Sequence, residues 1–215
     1  MLSSPLSYSP EQTRYEQARI VAAAKGLFMQ QGLAAVALAD LALSLRMPLG
    51  AIERNFPAGK PALVQAVLQS HLQDIHQHLE QQRLDSTNAV EELLALRRFV
   101  QQRIGEVGVL LFQELKTQHP VSWRYFKYVQ TKFMRGYLLA NLRRGMQEGL
   151  YQPDLNPDTL SRQWLQQVSD LQAAAHSPAE LATVRYTHLS QFLASITSPV
   201  GAYVTQRLQE APPYY

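Results

Sequence analysis

Apolar residues recur along most of this chain at the three- and four-residue spacing that is typical of amphipathic α-helices. No stretch shows the alternating pattern of a β-strand, and no internal repeat of about 20 to 50 residues stands out. The sequence therefore predicts an all-α fold. The predicted helices cover about residues 10–31, 37–45, 49–55, 60–83, 87–104, 109–118, 121–148, 156–175, 178–196 and 199–210.

Residues with capping propensity stand where the apolar pattern starts or stops. Ser9, followed by Pro10 and by Gln12 three residues on, is typical of the start of the first helix. The other predicted caps are Gly32 at the end of that helix, Ser86 or Thr87 before the fifth helix, and Ser177 with Pro178 and Glu180 before the ninth. Residues 1–9 precede the first helix, and we expect them to form a disordered arm.

Two short helices between residues 33 and 60 are joined by only Arg46 and Met47. We expect Pro48 to occupy the first position of the second helix, where its missing N–H costs nothing. This arrangement is typical of a helix-turn-helix, in which the second helix can lie in the major groove of DNA. The predicted apolar faces are Ile20, Ala23, Ala24, Leu27 and Phe28 on the preceding helix, Leu38, Leu41, Ala42 and Leu45 on the next, and Leu49, Ile52 and Phe56 on the last.

The order and spacing of residues between about 13 and 68 resemble the N-terminal domain of TetR/AcrR-type transcriptional repressors. The matching residues are Ile20, Ala23, Ala24, Phe28, Gly32, Asp40, Leu41, Ala42, Gly50, Ile52, Phe56, Lys60 and Leu63. The resemblance implies an N-terminal three-helix helix-turn-helix domain and a C-terminal helical domain that binds an effector and dimerises. The implied divisions are residues 1–9 for the arm, 10–59 for DNA binding, and 60–215 for effector binding and dimerisation.

The resemblance also implies which residues meet DNA. Residues around Arg46 to Asn55 would read a palindromic double-stranded operator, and Lys60 would hold a phosphate near a helix N-terminus. The implied set is Arg46, Leu49, Gly50, Ala51, Glu53, Arg54, Asn55 and Lys60.

Several residues of this chain depart from the family pattern at those positions. Such repressors usually carry Thr at Val36, Gly at Arg46, Ser or Thr at Pro48, Lys or Arg at Leu49, Ser or Thr at Ala51, and an aromatic residue at Glu53. The lost hydroxyl groups remove hydrogen bonds to phosphates, and Glu53 would repel a nearby phosphate. The alternative is therefore a repressor-like fold that has lost DNA binding and serves as a small-molecule or lipid-binding protein.

The predicted helices at about 156–175 and 178–196 are joined by a short turn and so lie antiparallel. Paired with the same hairpin of a second copy, they would form a four-helix interface, whereas in a monomer they would complete the core.

Aromatic residues between positions 99 and 164 could line a cavity for a small apolar effector, but ordinary core packing predicts the same spacing. The candidate pocket residues are Phe99, Phe112, Gln113, Trp123, Phe126, Tyr137 and Trp164.

Composition sets wider limits. Charged residues make up only 17% of the chain, which favours a surface committed to a partner, and the net charge of +3 permits DNA binding without arguing for it. The sequence has no cysteine, which excludes disulfides and thiolate sites and is consistent with a cytoplasmic location. No apolar run approaches the ~20 residues of a transmembrane helix, so we expect no membrane partner.

No sequence motif indicates catalysis or a cofactor. The chain has no P-loop, dinucleotide-binding glycine motif, HExxH or GxSxG, so we expect neither an enzyme nor a cofactor. Three histidines, His71, His76 and His78, lie on the helix predicted at 60–83. Only Asp74 and His78 have the spacing of metal ligands on one helix face, which is more typical of a solvated surface than of a metal site.

Overall fold

The computed structural model describes residues 9–106, 109–174 and 178–210. Within these residues the fold is all-α, as predicted, and the only extended pairing is an isolated bridge between Tyr151 and Thr197. The described helices are α1 (Pro10–Gln31), α2 (Leu38–Leu45), α3 (Leu49–Asn55), α4 (Lys60–Asp85), α5 (Ala89–Glu106), α6 (Val109–Gln118), α7 (Pro120–Gln147), α8 (Pro157–Ala174), α9 (Pro178–Ile196) and α10 (Pro199–Glu210).

The chain divides into two compact units. Unit 1 comprises Met1–Asp74 and Gly108–Phe126, and unit 2 comprises Ile75–Val107 and Lys127–Tyr215. The division falls within α4 and within α7. The boundary predicted between residues 59 and 60 separates functions rather than compact units, and it stays a prediction.

The predicted cap of α1 is confirmed. The backbone N–H of Gln12 donates to Ser9 Oγ at 3.2 Å, and the N–H of Ser9 donates to Gln12 Oε1 at 3.1 Å. These reciprocal bonds form a capping box, which satisfies two N–H groups that the first helical turn cannot pair. Residues 1–8 of the predicted arm (1–9) and the predicted cap Ser177 lie outside the described residues, whereas Ser9, the last residue of that arm, is the N-cap of α1.

We expect Ser9→Ala to lower the free energy of unfolding by about 1 kcal/mol, because alanine removes one half of this box. Urea unfolding followed by circular dichroism measures the change. Gln30→Ala, at an exposed position near the other end of α1, is the control and should change stability by less than about 0.5 kcal/mol. Equal losses in the two variants would contradict a capping role for Ser9.

The predicted cap of α5 is wrong. Asn88, rather than Ser86 or Thr87, caps this helix, since its Oδ1 accepts the N–H of Glu91 at 2.9 Å. The reason is that α4 continues to Asp85, and the Ser86 hydroxyl donates back to Gln82 O at 2.6 Å. The sequence pattern could not distinguish these neighbouring residues, because each has high capping propensity.

The core of unit 1 joins the apolar faces of α1, α2 and α3 to the first part of α4 and to α6. It follows the predicted spacing, with one exception. Leu49 is 40% exposed, because the buried side of α3 is formed by Ala51, Ile52 and Asn55 and Leu49 lies outside it. Pro48 is the N-cap of α3 and not its first residue. The buried residues of unit 1 include Ile20, Ala24, Phe28, Leu33, Val36, Leu41, Ala42, Ile52, Phe56, Leu63, Val64, Val67, Leu68, Leu72, Leu111, Leu115 and Phe126.

The core of unit 2 is formed by α5, α7, α8, α9 and the second part of α4. A polar network lies inside it. Glu92 of α5 is fully buried and accepts a hydrogen bond from Arg144 of α7 at 3.3 Å. Arg144 also donates to the carbonyl of Ser86 at 2.9 Å, and Asn141 Nδ2 donates to the carbonyl of Ala89 at 2.9 Å. These bonds connect the end of α4 and the start of α5 to α7.

Candidate nucleic-acid interface and effector region

The turn between α2 and α3 is short and closely hydrogen-bonded. Arg46 adopts the left-handed conformation with φ 52°, and its N–H donates to the carbonyl of Leu43 at 3.1 Å. The N–H of Met47 donates to the carbonyl of Ala42 at 2.9 Å, which completes the helix end. Asp40 caps the start of α2 by accepting the N–H of Ala37 at 2.9 Å. The predicted helix-turn-helix geometry is therefore present.

One side of α3 faces outward. Leu49, Gly50, Glu53 and Arg54 are exposed on it, and the neighbouring Arg46 at the turn is exposed as well. Within the described residues Glu53 makes no hydrogen bond or ion pair, so its carboxylate is unpaired. This face combines one apolar side chain, one carboxylate and two guanidinium groups, which can meet base edges and phosphates.

The opposite side of α3 faces unit 1 itself. Ala51 is 5% exposed and Asn55 is 9% exposed. Asn55 Nδ2 donates to the carboxylate of Glu16 on α1 at 3.1 Å and to the carbonyl of Ala51 at 2.9 Å, while Gln17 donates to the carbonyl of Asn55 at 3.3 Å. Of these two predicted DNA-contacting residues, Asn55 instead attaches α3 to α1, and Ala51 is buried.

The spacing along α3 could have indicated this. Ala51 and Asn55 are four residues apart and flank Ile52, which the apolar pattern already placed in the core, so one helix face holds all three. Val36, at a position where the family usually carries threonine, is also buried at 3% exposure and points away from solvent. Lys60 is half-buried, and its ammonium donates to the carbonyl of Leu33.

The candidate pocket residues form two groups, one in each unit. In unit 1, Phe112, Trp123 and Phe126 pack with ring centroids 5.5 to 5.9 Å apart, and His71 lies 6.3 Å from Phe126. Gln113 is exposed. Aromatic pairs at these separations stabilise each other. This holds both for a cluster in the core and for a cluster that faces a ligand, so the ring contacts fit either role.

In unit 2, Phe99, Tyr137 and Trp164 are all buried members of one core cluster. Phe99 stacks on His78 at 4.4 Å, and Trp164 lies 6.0 Å from His188. Trp164 Nε1 and His188 Nε2 are buried, and neither has a hydrogen-bond partner among the described residues. Burial lowers the pKa of His188, which favours its neutral form.

An open groove of about 490 Å³ lies along α8 and α9, the two helices predicted to form the dimer interface. His188, on the wall of this groove, is not among the candidate residues predicted from the sequence. The groove is lined by Gln167, Asp170, Leu171, His188, Gln191, Phe192 and Ser195, so none of the predicted pocket residues lines it.

The described residues contain no group of three or more histidine, aspartate or glutamate side chains that could hold a metal ion. His71 is buried in unit 1, whereas His76 stacks on Phe133 at 3.7 Å in unit 2. Among the described helices, none is both long enough and apolar enough to cross a membrane.

No known family model matches the chain, and no curated protein matches its sequence. Solved structures do match. A transcriptional regulator from Cytophaga hutchinsonii has a TM-score of 0.71 and 15% identity, covering 84% of this chain and 98% of that one. A TetR-family transcriptional regulator from Agrobacterium tumefaciens has a TM-score of 0.64 and 18% identity, covering 86% and 100%.

A ketosteroid transcriptional regulator from Mycobacterium tuberculosis has a TM-score of 0.54 and 21% identity, covering 85% of this chain and 95% of that one. The fold is thus an all-α fold with an N-terminal helix-turn-helix. It is the fold of the TetR-family transcriptional regulators.

Proposed function

We propose that this protein is a transcriptional regulator that binds a palindromic DNA operator as a homodimer and releases it when a small apolar effector binds. The observation that carries the proposal is the outward side of α3, where Leu49, Gly50, Glu53 and Arg54 are exposed. The opposite side of this helix is hydrogen-bonded to α1 through Asn55. The likeness to TetR-family regulators over most of the chain supports the same class of function.

In this proposal the roles of the exposed residues on α3 and at the preceding turn follow from their chemistry. Leu49 contacts thymine methyl groups and Gly50 allows close approach to the bases, while Arg46 and Arg54 neutralise phosphates. Lys60 keeps two further protons for a phosphate beyond the one that it donates to Leu33. Ala51 and Asn55 are not part of the proposed contact surface, because both are buried and Asn55 is hydrogen-bonded to α1.

The proposed dimer interface is the face of α8 and α9, which pack on each other in unit 2. A two-fold dimer would present two α3 helices to half-sites about 34 to 36 Å apart, or a multiple of that distance. The proposed effector region is the aromatic cluster of unit 1, formed by Phe112, Trp123 and Phe126. A coupling of about 1 to 3 kcal/mol between effector and operator would change operator affinity by about 5- to 150-fold.

The test is binding of the purified protein to DNA that flanks its own coding region, measured by fluorescence anisotropy over a series of salt concentrations. We expect affinity to fall linearly with salt on logarithmic axes, because phosphate neutralisation releases counterions. Arg54→Ala should reduce the slope by about 0.9 for each subunit. Arg207→Ala, an exposed arginine of α10, is the control and should leave the slope unchanged.

Sedimentation velocity of the same sample tests the dimer. A protein that binds DNA without any salt dependence, or that remains a monomer at micromolar concentration, would contradict the proposal.

The second candidate function is that of a repressor-like fold that has lost DNA binding and binds small molecules or lipids instead. The unpaired carboxylate of Glu53 on the exposed side of α3 favours it, since this charge opposes a phosphate.

A further inference from the structure

The turn between α1 and α2, residues 32–37, is bonded to a side chain from a distant part of the chain. The N–H of Gly32 donates to the carbonyl of Phe28 at 3.0 Å. The N–H groups of Leu33 and Ala34 lie beyond the end of α1. Both donate to one carboxylate oxygen of Glu114, and the N–H of Ala34 does so at 3.2 Å. Glu114 lies on α6, which packs against α1 within unit 1.

The other side of Leu33 is bonded as well. Its carbonyl accepts a hydrogen bond from the ammonium group of Lys60, the first residue of α4. An anionic side chain therefore meets the N–H of Leu33 and a cationic side chain meets its carbonyl. Hydrogen bonds to charged groups are about twice as strong as neutral ones. The Leu33 side chain is only 1% exposed, so the turn is fixed by packing and by charge together.

The turn leads directly into α2 and thus positions the helix-turn-helix. Glu114 is two residues from Phe112, whose ring packs on Trp123 and Phe126 in unit 1. Movement of α6 as a rigid helix displaces Phe112 and the Glu114 carboxylate together, because both side chains are on the same ten-residue helix. A plain loop cap would need only a local acceptor, whereas this one comes from 80 residues away, on a helix that carries candidate effector residues.

We infer that Glu114 is a positioning residue that couples α6 to the DNA-reading helices by holding the N–H groups of Leu33 and Ala34. The inference rests on the proposed function for its regulatory meaning. When α6 keeps Glu114 in place, the turn holds α2 and α3 in one orientation. When α6 moves, the turn loses its hydrogen-bond acceptor, and α2 and α3 lose that orientation.

The experiment compares Glu114→Ala, which removes the acceptor, with Glu114→Gln, which keeps a neutral carbonyl oxygen. Gln118→Ala, an exposed residue of the same helix, is the control. Amide hydrogen exchange of the full-length protein is measured without DNA. We expect the amides of Leu33 and Ala34 to exchange at least about tenfold faster in Glu114→Ala, at an intermediate rate in Glu114→Gln and at the parent rate in Gln118→Ala.

Operator affinity is then measured for each variant over the same salt series. We expect Glu114→Ala to bind about 5- to 150-fold more weakly, with the salt slope of the parent, because no phosphate contact is lost. Glu114→Gln should recover part of this loss. A changed slope would assign Glu114 to the DNA contact itself and would overturn the inference.

Three other outcomes would also overturn it. Unchanged exchange at Leu33 and Ala34 would show that the contact is not formed in solution. Faster exchange with unchanged or raised operator affinity would show that the contact does not position the reader. Faster exchange over the whole of unit 1 would assign Glu114 to general stability. A parent protein that binds no DNA would refute the proposed function, while the exchange data would still decide whether the contact exists.

Discussion

Replacing Glu53 with lysine raises DNA affinity by about 10- to 60-fold at 0.1 M salt. One neutralised phosphate contributes about 0.9 to the logarithmic salt slope, which is roughly eightfold in affinity between 1 M and 0.1 M salt. A dimer gains one such contact for each subunit. Glu53 is exposed on α3 and is unpaired within the described residues, so the substitution breaks no contact of the folded protein.

The control for Glu53→Lys is Asp154→Lys, which makes the same change in net charge at an exposed position in unit 2. We expect it to change DNA affinity by less than about twofold, because Asp154 is not on the helix-turn-helix and its replacement adds no proposed phosphate contact. Fluorescence anisotropy at several salt concentrations measures both variants. Equal gains in the two variants would mean that the outward side of α3 does not meet DNA.

The same measurement separates the two candidate functions. Under the regulator proposal the parent already binds its operator, and Glu53→Lys tightens an existing complex. Under the alternative the parent shows no salt-dependent binding, and Glu53→Lys creates it. Glu53→Tyr, which installs the residue type that the resemblance leads us to expect, should act in the same direction with a smaller effect, since it removes a charge without adding one.

Helix positions were largely predictable from the sequence because apolar spacing and capping residues agree. The bounds of α3, α6, α9 and α10 match the predicted ones, and the capping box of α1 is confirmed. Local signals of this kind depend on neighbours in sequence, which is the information that a single chain provides. The error at the start of α5 arose where three residues with similar capping propensity, Ser86, Thr87 and Asn88, stand together.

The direction of individual side chains was less predictable. A sequence pattern for α3 places Leu49 and Ile52 on one face, but Leu49 is exposed because the buried side of the helix is formed by Ala51, Ile52 and Asn55. The inward direction of Asn55 depends on Glu16 of α1, a partner 39 residues away. The contact between Glu114 and the turn at Leu33 spans 81 residues and has no local signal at all. Long-range polar contacts of this kind require coordinates.

We expect Arg144→Met to lower the free energy of unfolding by about 2 to 3 kcal/mol at pH 7.5. Breaking a buried ion pair by removing one partner typically costs about 3 to 5 kcal/mol, and the partial exposure of Arg144 reduces the expected loss. The substitution leaves Glu92 fully buried without its cation, and it removes the bond to the carbonyl of Ser86. Urea unfolding measures the loss, and Arg143→Met, an exposed neighbour, is the control.

The loss in Arg144→Met should depend on pH. Burial raises the pKa of Glu92 from its ordinary value of 4.5, while the Asn141 amide and the charge of Arg144 lower it. A carboxyl whose pKa is raised in the folded state binds protons more readily there than in the unfolded state. Stability therefore falls as pH rises through the range above 4.5, by up to about 1.4 kcal/mol for each pH unit.

Without Arg144 the pKa of Glu92 rises further, so this range extends to higher pH in the variant than in the parent. The difference in stability between Arg144→Met and the parent should consequently be larger at pH 7.5 than at pH 5, because proton binding by Glu92 removes the need for a cation. In a Glu92→Gln background no carboxyl titrates at this position, so the loss caused by adding Arg144→Met, measured against Glu92→Gln alone, should not depend on pH. A stability difference that stays constant between pH 5 and pH 7.5 would mean that Arg144 stabilises α4 and α5 through its carbonyl contacts alone, and not through the buried charge.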